Sequence, residues 1–218
     1  QADFEYVWLK DVDMRPCRGC FVCFPHGEGK CPNRDDDVAK IVRRMEEADG
    51  VVFASPVYSF NVSGLLKTFI DRISYMGHRP RLVGKKTFLI ATSGGYGMKF
   101  PLKYLEKIVG QGWGMDVVGK VGLVTPNGDA PRHIIDKNFS KLRKAASRYS
   151  QMLSTSKAKR PSLMSMIIFH ATRGAMSQLA DVSPADFRYW TERGWLAPGV
   201  KYYIDVPVNP LFLGIAKL

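Results

Sequence analysis

Cysteine is confined to one short stretch of this chain: Cys17, Cys20, Cys23 and Cys31 are the only four among 218 residues. A secreted disulfide scaffold spreads its cysteines through the chain, so this distribution argues against one and for a reducing cytoplasm. Long apolar runs are lacking too, and nothing approaches the roughly 18 consecutive apolar residues of a membrane span. No G-x-G-x-x-G follows a strand pattern, so a dinucleotide-binding Rossmann domain is not supported. Acidic residues are missing from Lys137 to Arg160, where eight Lys or Arg occur. Over the whole chain the balance is +12. That excess suits an anionic partner, but its basic residues carry no aromatic-interleaved pattern of the kind that reads nucleic acid.

What is present reads as an α/β chain. Val51–Ala54 is an apolar run of strand length, followed by the turn Ser55-Pro56-Val57-Tyr58 and a helix with Leu65, Leu66, Phe69, Ile70 and Ile73 at helical spacing. Phe4–Leu9 alternates and is aromatic-rich, predicting a strand. Val38, Ile41, Val42 and Met45 predict a helix opened by Asp35, Asp36 and Asp37, where carboxylates favour the dipole. Thr87–Ala91 predicts a buried strand running into Thr92-Ser93-Gly94-Gly95-Tyr96-Gly97, and Leu102, Leu105, Ile108 and Val109 a helix. Val117–Val124 and Ile134–Met152 predict a last strand and helix. This order implies a doubly wound parallel sheet, whose ligands bind at the carboxyl ends of the strands. Residues 1–153 form that domain. Residues 154–218 are a linker (Ser154–Ser162) and an aromatic extension, expected to serve as a dimer arm or a lid. His170 there is expected to be packed rather than catalytic. The basic 137–160 segment is either a solvated helix face or a docking surface for an acidic partner or membrane headgroups.

Cys17, Cys20, Cys23 and Cys31 have the spacing Cys-x2-Cys-x2-Cys-x7-Cys. Three thiolates at two-residue gaps can surround one 4Fe–4S cube and the fourth can close it. Zinc, free thiols and a disulfide are alternatives. With four thiols available, His26 is expected to be an exposed loop residue.

Ser55-Pro56-Val57-Tyr58, then Asn61, Ser63-Gly64, Lys67 and Asp71-Arg72, resembles the flavodoxin-fold family of NAD(P)H-dependent FMN reductases and iron–sulfur flavoproteins. The resemblance covers roughly residues 4 to 150. It implies that Ser55, Pro56, Val57, Tyr58 and Asn61 lie against the FMN isoalloxazine ring, with Ser93, Gly94, Gly95 and Tyr96 at its pyrimidine side. The cysteine spacing is similar to the compact cluster motif of the iron–sulfur members. No catalytic side chain is implied, because hydride transfer to a flavin needs no protein acid or base. The implied activity is transfer of electrons from NAD(P)H to a quinone, flavin or similar acceptor. The alternatives are relay between a ferredoxin-like protein and FMN through a cluster, and a zinc-binding scaffold without catalysis. Homodimers or homotetramers are usual in the family. The family's first strand, first helix and phosphate loop have no counterpart here, so the chain is expected to be part of a longer protein and no residues for the FMN phosphate are named.

Overall fold

The computed structural model describes residues 3–126, 128–155 and 158–217. In chain order its elements are α1 (Cys23–His26), α2 (Val38–Glu47), β1 (Gly50–Pro56), α3 (Gly64–Arg72), β2 (Lys86–Ser93) and α4 (Lys99–Leu105). They continue with β3 (Asp116–Val124), α5 (Arg132–Leu153), α6 (Leu163–Met176), α7 (Pro184–Glu192) and α8 (Pro210–Ala216). The three strands form a parallel sheet in the order β1-β2-β3. This is the 3-4-5 half of a flavodoxin-like 2-1-3-4-5 sheet.

Alternation along β2 divides the molecule. Leu89 and Ala91 point into the larger core, formed with Phe53, the apolar stripes of α2 and α3, and Leu102 and Leu105 of α4. Phe88 and Ile90 point the other way, against Tyr149, Met152 and Leu153 of α5. A one-residue irregularity between Thr87 and Phe88 shifts the register with β3. The helix expected over Leu102–Val109 loosens after α4 into π turns over Glu106–Gly112, still burying Val109. The helices expected from Val38 and Ile134 form as α2 and α5.

Phe4–Leu9 does not form the predicted strand. Phe4, Tyr6 and Trp8 are exposed, Tyr6 and Trp8 stack on each other, and Leu9–Asp11 is a 3-10 turn. Alternation describes a side-chain pattern, but a strand also needs a ladder for its N–H and C=O groups. Among the described residues none pairs with the outer edge of β1, and Val52 and Ala54 beside that edge are exposed.

The extension packs on its own chain. Phe169, Met176, Trp190, Trp195 and Tyr203 make a second buried cluster, with the Phe169 and Tyr203 ring centroids 4.7 Å apart in edge-on contact. His170 lies against Phe169, 5.1 Å between centroids, and burial pushes its pKa down, as for a packed neutral histidine. Part of the Ser154–Ser162 linker, Ser156 and Lys157, lies outside the described residues. No helix among the described residues is long and apolar enough to cross a membrane.

Candidate functional site

Two loops open side by side at the carboxyl edge of the sheet. The first leaves β1 at Pro56, and the Val57 N–H still extends the ladder by donating to the Thr92 carbonyl at 2.8 Å. Tyr58 and Asn61 then exchange backbone hydrogen bonds of 3.0 and 2.9 Å across a two-residue turn. Ser59 (φ +48°) and Phe60 (φ +62°) both occupy the left-handed region. Two successive positive φ angles are the signature of a type I′ turn, which normally takes Asn-Gly. A phenylalanine there is held against its preference, at a cost of order 1–3 kcal/mol. Ser55 supports the turn from below: its Oγ accepts from the Ser63 N–H at 2.9 Å and donates to the Pro56 carbonyl. Ser63 in turn caps α3, accepting from Leu66 N–H. Asn61 Oδ1 accepts from the Val62 N–H at 2.8 Å.

The second loop leaves β2 at Ser93, whose Oγ donates to the Tyr96 carbonyl at 2.6 Å and closes a tight bend. An added Cβ would meet nothing within 4 Å at Gly95, and at Gly94 only the Thr125 carbonyl at 3.9 Å, so the backbone of both is open to a ligand. The N–H groups of Gly94 and Tyr96 have no acceptor among the described residues. Gly97 joins the two loops. Its φ is +95°, and a Cβ there would lie 3.3 Å from the Phe60 ring. Phe60 therefore fits against this glycine and contacts Tyr96 and Phe100, with centroids at 5.8 and 5.4 Å. The resulting cleft of 610 Å³ is lined by Phe60 and Gly95–Phe100, with Lys99 Nζ 5.1 Å from the Phe100 ring centre. Tyr58 and Tyr96 remain 63% and 76% exposed. Exposed rings beside open amides suit a planar heterocycle with hydrogen-bonding edges, which isoalloxazine is.

Of the predicted loop residues, Tyr58, Gly94, Gly95 and Tyr96 face solvent at this edge, while Ser55 and Ser93 shape the turns. Pro56 and Val57 are half-buried, and Val57 packs on the main core. Phe60, Lys99 and Phe100 were not anticipated; the left-handed turn that aims Phe60 leaves no mark in the sequence.

The four cysteines lie within residues 17–31, Cys23 opening α1, and no two of them are joined in a disulfide. Cys17 and Cys20 are exposed, and Cys23 and Cys31 half-buried. Among the described residues no three metal-ligating groups converge on one point. The loop is clamped by two buried arginines. Arg72, at the end of α3, donates to the carbonyls of Arg15 (2.7 Å) and Asn33 (3.0 Å), and its Nη2 lies 3.9 Å from Cys31 Sγ. It is paired with buried Asp36. Burial pushes the Asp36 carboxyl up, but Arg72 and the N–H groups of Arg15 and Val38 more than offset this and hold it below the usual range. As its place at the helix start predicts, Asp36 accepts from Val38 N–H, but its charge is spent on Arg72.

Arg79 holds the other end. It donates to the Cys23 carbonyl at 2.7 Å and to Glu28 at 3.0 Å, and pairs with Asp186 of α7, which is fully buried. Burial pushes the Cys23 thiol up, with the Arg79 charge pulling the other way. Arg72 thus lies beside the Cys31 sulfur and Arg79 beside the Cys23 backbone, while Cys17 and Cys20 hydrogen-bond to neither arginine among the described residues. None of Arg72, Arg79, Asp36 or Asp186 stood out as part of this loop in the sequence, since ion pairs across tens of residues have no local pattern. His26 is exposed, as expected, at the end of α1 rather than in a loop. The outer face of α5 exposes Lys137, Arg143, Lys144 and Arg148, while Arg132 is paired with Asp136 at 3.3 Å.

Residues 1–130 match the family described as NADPH-dependent FMN reductase. An iron-sulfur flavoprotein of Archaeoglobus fulgidus is 29% identical over 195 residues, spanning 89% of this chain and 86% of that protein. An iron-sulfur flavoprotein of Methanocaldococcus jannaschii is 47% identical over 80 residues, 37% of each chain. An FMN-dependent NADH:quinone oxidoreductase of Stenotrophomonas maltophilia is 25% identical over 149 residues, 61% of this chain and 73% of that one.

Proposed function

The chain belongs to the NADPH-dependent FMN reductase family, as an oxidoreductase of the flavodoxin fold, and from that premise we propose that it passes electrons from NAD(P)H to a quinone, flavin or similar small acceptor. The observation that carries this reading is the pair of loops at the carboxyl edge, with open amides on Gly94 and Tyr96 and exposed rings on Tyr58, Phe60 and Tyr96. Ser55, Pro56, Val57, Tyr58 and Asn61 form the wall for the isoalloxazine. Gly94 and Tyr96 offer N–H groups to its pyrimidine edge, where donors stabilise the reduced, anionic ring, while Ser93 and Gly95 shape the bend that presents them. Bound FMN supplies the hydride-accepting chemistry, so the side chains are asked to bind, orient and exclude water. The nicotinamide and the acceptor would occupy the same open cleft in turn, stacking beside Phe60 and Phe100, in a ping-pong order. Lys99 places a positive charge at the cleft rim, favouring anionic donors and acceptors.

A test is to purify the protein, record its flavin absorption and follow NADH and NADPH oxidation with a quinone acceptor. Tyr58→Ala and Gly95→Val should each weaken FMN binding. Flavin-free protein that neither binds added FMN nor oxidises either nucleotide would refute the reading.

The cysteine loop favours a second reading: Cys17, Cys20, Cys23 and Cys31 holding a 4Fe–4S cluster that relays electrons between FMN and an acidic, ferredoxin-like protein docked on the basic face of α5. The gathering of all four cysteines between positions 17 and 31, with Arg72 at Cys31 and Arg79 at Cys23, and the names of two relatives support it. Iron and sulfide at about four each per chain are expected on anaerobic purification; one zinc and no iron would favour the scaffold reading. Such chemistry belongs in a reducing cytoplasm. For assembly as a homodimer or homotetramer, exposed Val182, Leu211 and Ile215 of the extension offer the contact surface, and mass in solution checks it.

A further inference from the structure

We propose that Asp186 is a positioning residue for the cysteine loop, acting from the C-terminal extension through Arg79. Its carboxylate is fully buried and accepts from Arg79, from His78 Nδ1 at 2.8 Å and from Ser183 Oγ at 2.8 Å. Arg79 is thereby fixed with its remaining N–H groups aimed at the loop. Nη2 donates to the Cys23 carbonyl at 2.7 Å and to Glu28 Oε2 at 3.0 Å, and Nη1 reaches the Phe24 carbonyl at 3.4 Å. One guanidinium thus holds both the segment bearing Cys23 and a side chain midway to Cys31. Glu28 is held a second time by Arg81 at 2.8 Å.

The surrounding contacts give this linkage a defined geometry. Trp190 Nε1 donates to the His78 carbonyl at 2.6 Å and the Tyr189 hydroxyl to the Pro80 carbonyl at 2.9 Å. Segment 78–80 is therefore pinned by α7 on both sides of Arg79. The Phe24 ring, one residue past Cys23, packs on the His78 ring with centroids 4.5 Å apart. Charge explains the need for Asp186: a buried guanidinium without a counter-ion is costly, and Glu28 alone is a half-exposed partner. Without Asp186, Arg79 turns toward water and its hold on Cys23 is lost. Cys17 and Cys20 lie outside this linkage and provide an internal control.

This inference rests on the metal-binding reading of the loop for its purpose but not for its test. In metal-free, reduced full-length protein, N-ethylmaleimide modification of each cysteine is followed by mass spectrometry. Asp186→Asn should accelerate Cys23 by about tenfold, the effect of losing one charge-assisted hydrogen bond, and leave Cys17 and Cys20 unchanged. Asp186→Glu should restore most of the wild-type rate. An unchanged Cys23 rate in folded Asp186→Asn protein overturns the proposal, as does equal acceleration at all four cysteines, which would report general loosening. Should Asp186→Asn not fold, Ser183→Ala removes one donor to the same carboxylate, and an unchanged Cys23 rate there overturns it equally. Cobalt(II) titration separates the two ideas. A thiolate-to-metal band that needs about 10–100-fold more cobalt in the variant supports the linkage and the metal site together. Faster Cys23 modification with no cobalt band in either protein supports the linkage and refutes the metal site.

Discussion

Phe60 and Asp36 show two different demands on single residues. Ser59 and Phe60 are both left-handed, yet only Phe60 contributes a ring to the cleft. Ser59→Gly should therefore stabilise the fold by up to about 1 kcal/mol in urea unfolding, relieving backbone strain while leaving flavin affinity intact. Gly97→Ala should do the reverse: a Cβ 3.3 Å from the Phe60 ring at φ +95° is strained and displaces that ring, so stability and FMN affinity both fall. Asp36 answers to Arg72. Asp36→Ala leaves a buried guanidinium unpaired and should cost about 3–5 kcal/mol. In the wild type the folded carboxyl titrates below the ordinary 3.8, so the unfolded state binds more protons in that window. The contribution is complete above about pH 4–5 and is lost as pH falls through the folded value. Urea unfolding of wild type and Asp36→Asn between pH 3 and 6 should show the smaller acid slope in the variant.

At the scale of elements, the sequence was most legible where local pattern and tertiary partner coincide. Val51–Ala54, Thr87–Ala91 and Val117–Val124 read as strands and are strands, because each lies beside another that satisfies its backbone. The loops after the first two were legible by position: each follows a strand, and because β1 and β2 are parallel neighbours both loops open at the same edge. Phe4–Leu9 shows the limit, with a strand's alternation but no ladder. Amide hydrogen exchange should separate the cases, with Leu89 and Ile90 protected and Tyr6 and Val7 exchanging near the unfolded rate. The helix caps behave locally, and Ser63→Ala should cost about 1 kcal/mol by removing the acceptor at the start of α3.

For the whole molecule the extension matters more than its position in the sequence suggests. Its aromatic content was legible; that it grips residues 78–80 was not, since Trp190–His78 and Asp186–Arg79 join residues more than a hundred positions apart. Trp190→Ala should destabilise the protein by about 3–5 kcal/mol in denaturant, through the cavity and the lost contacts with Phe169, Trp195 and Tyr203. The order in which the chain is made gives the Asp186–Arg79 pair a consequence in time. At roughly 5–20 residues per second on the ribosome, Asp186 emerges some 8–30 seconds after Cys31. Throughout that interval the thiols are already synthesised, and once Arg72 has followed, only its clamp has all its partners available. A nascent chain thus presents half-held sulphurs to whatever oxidant or metal carrier reaches it, and its last quarter closes the second clamp.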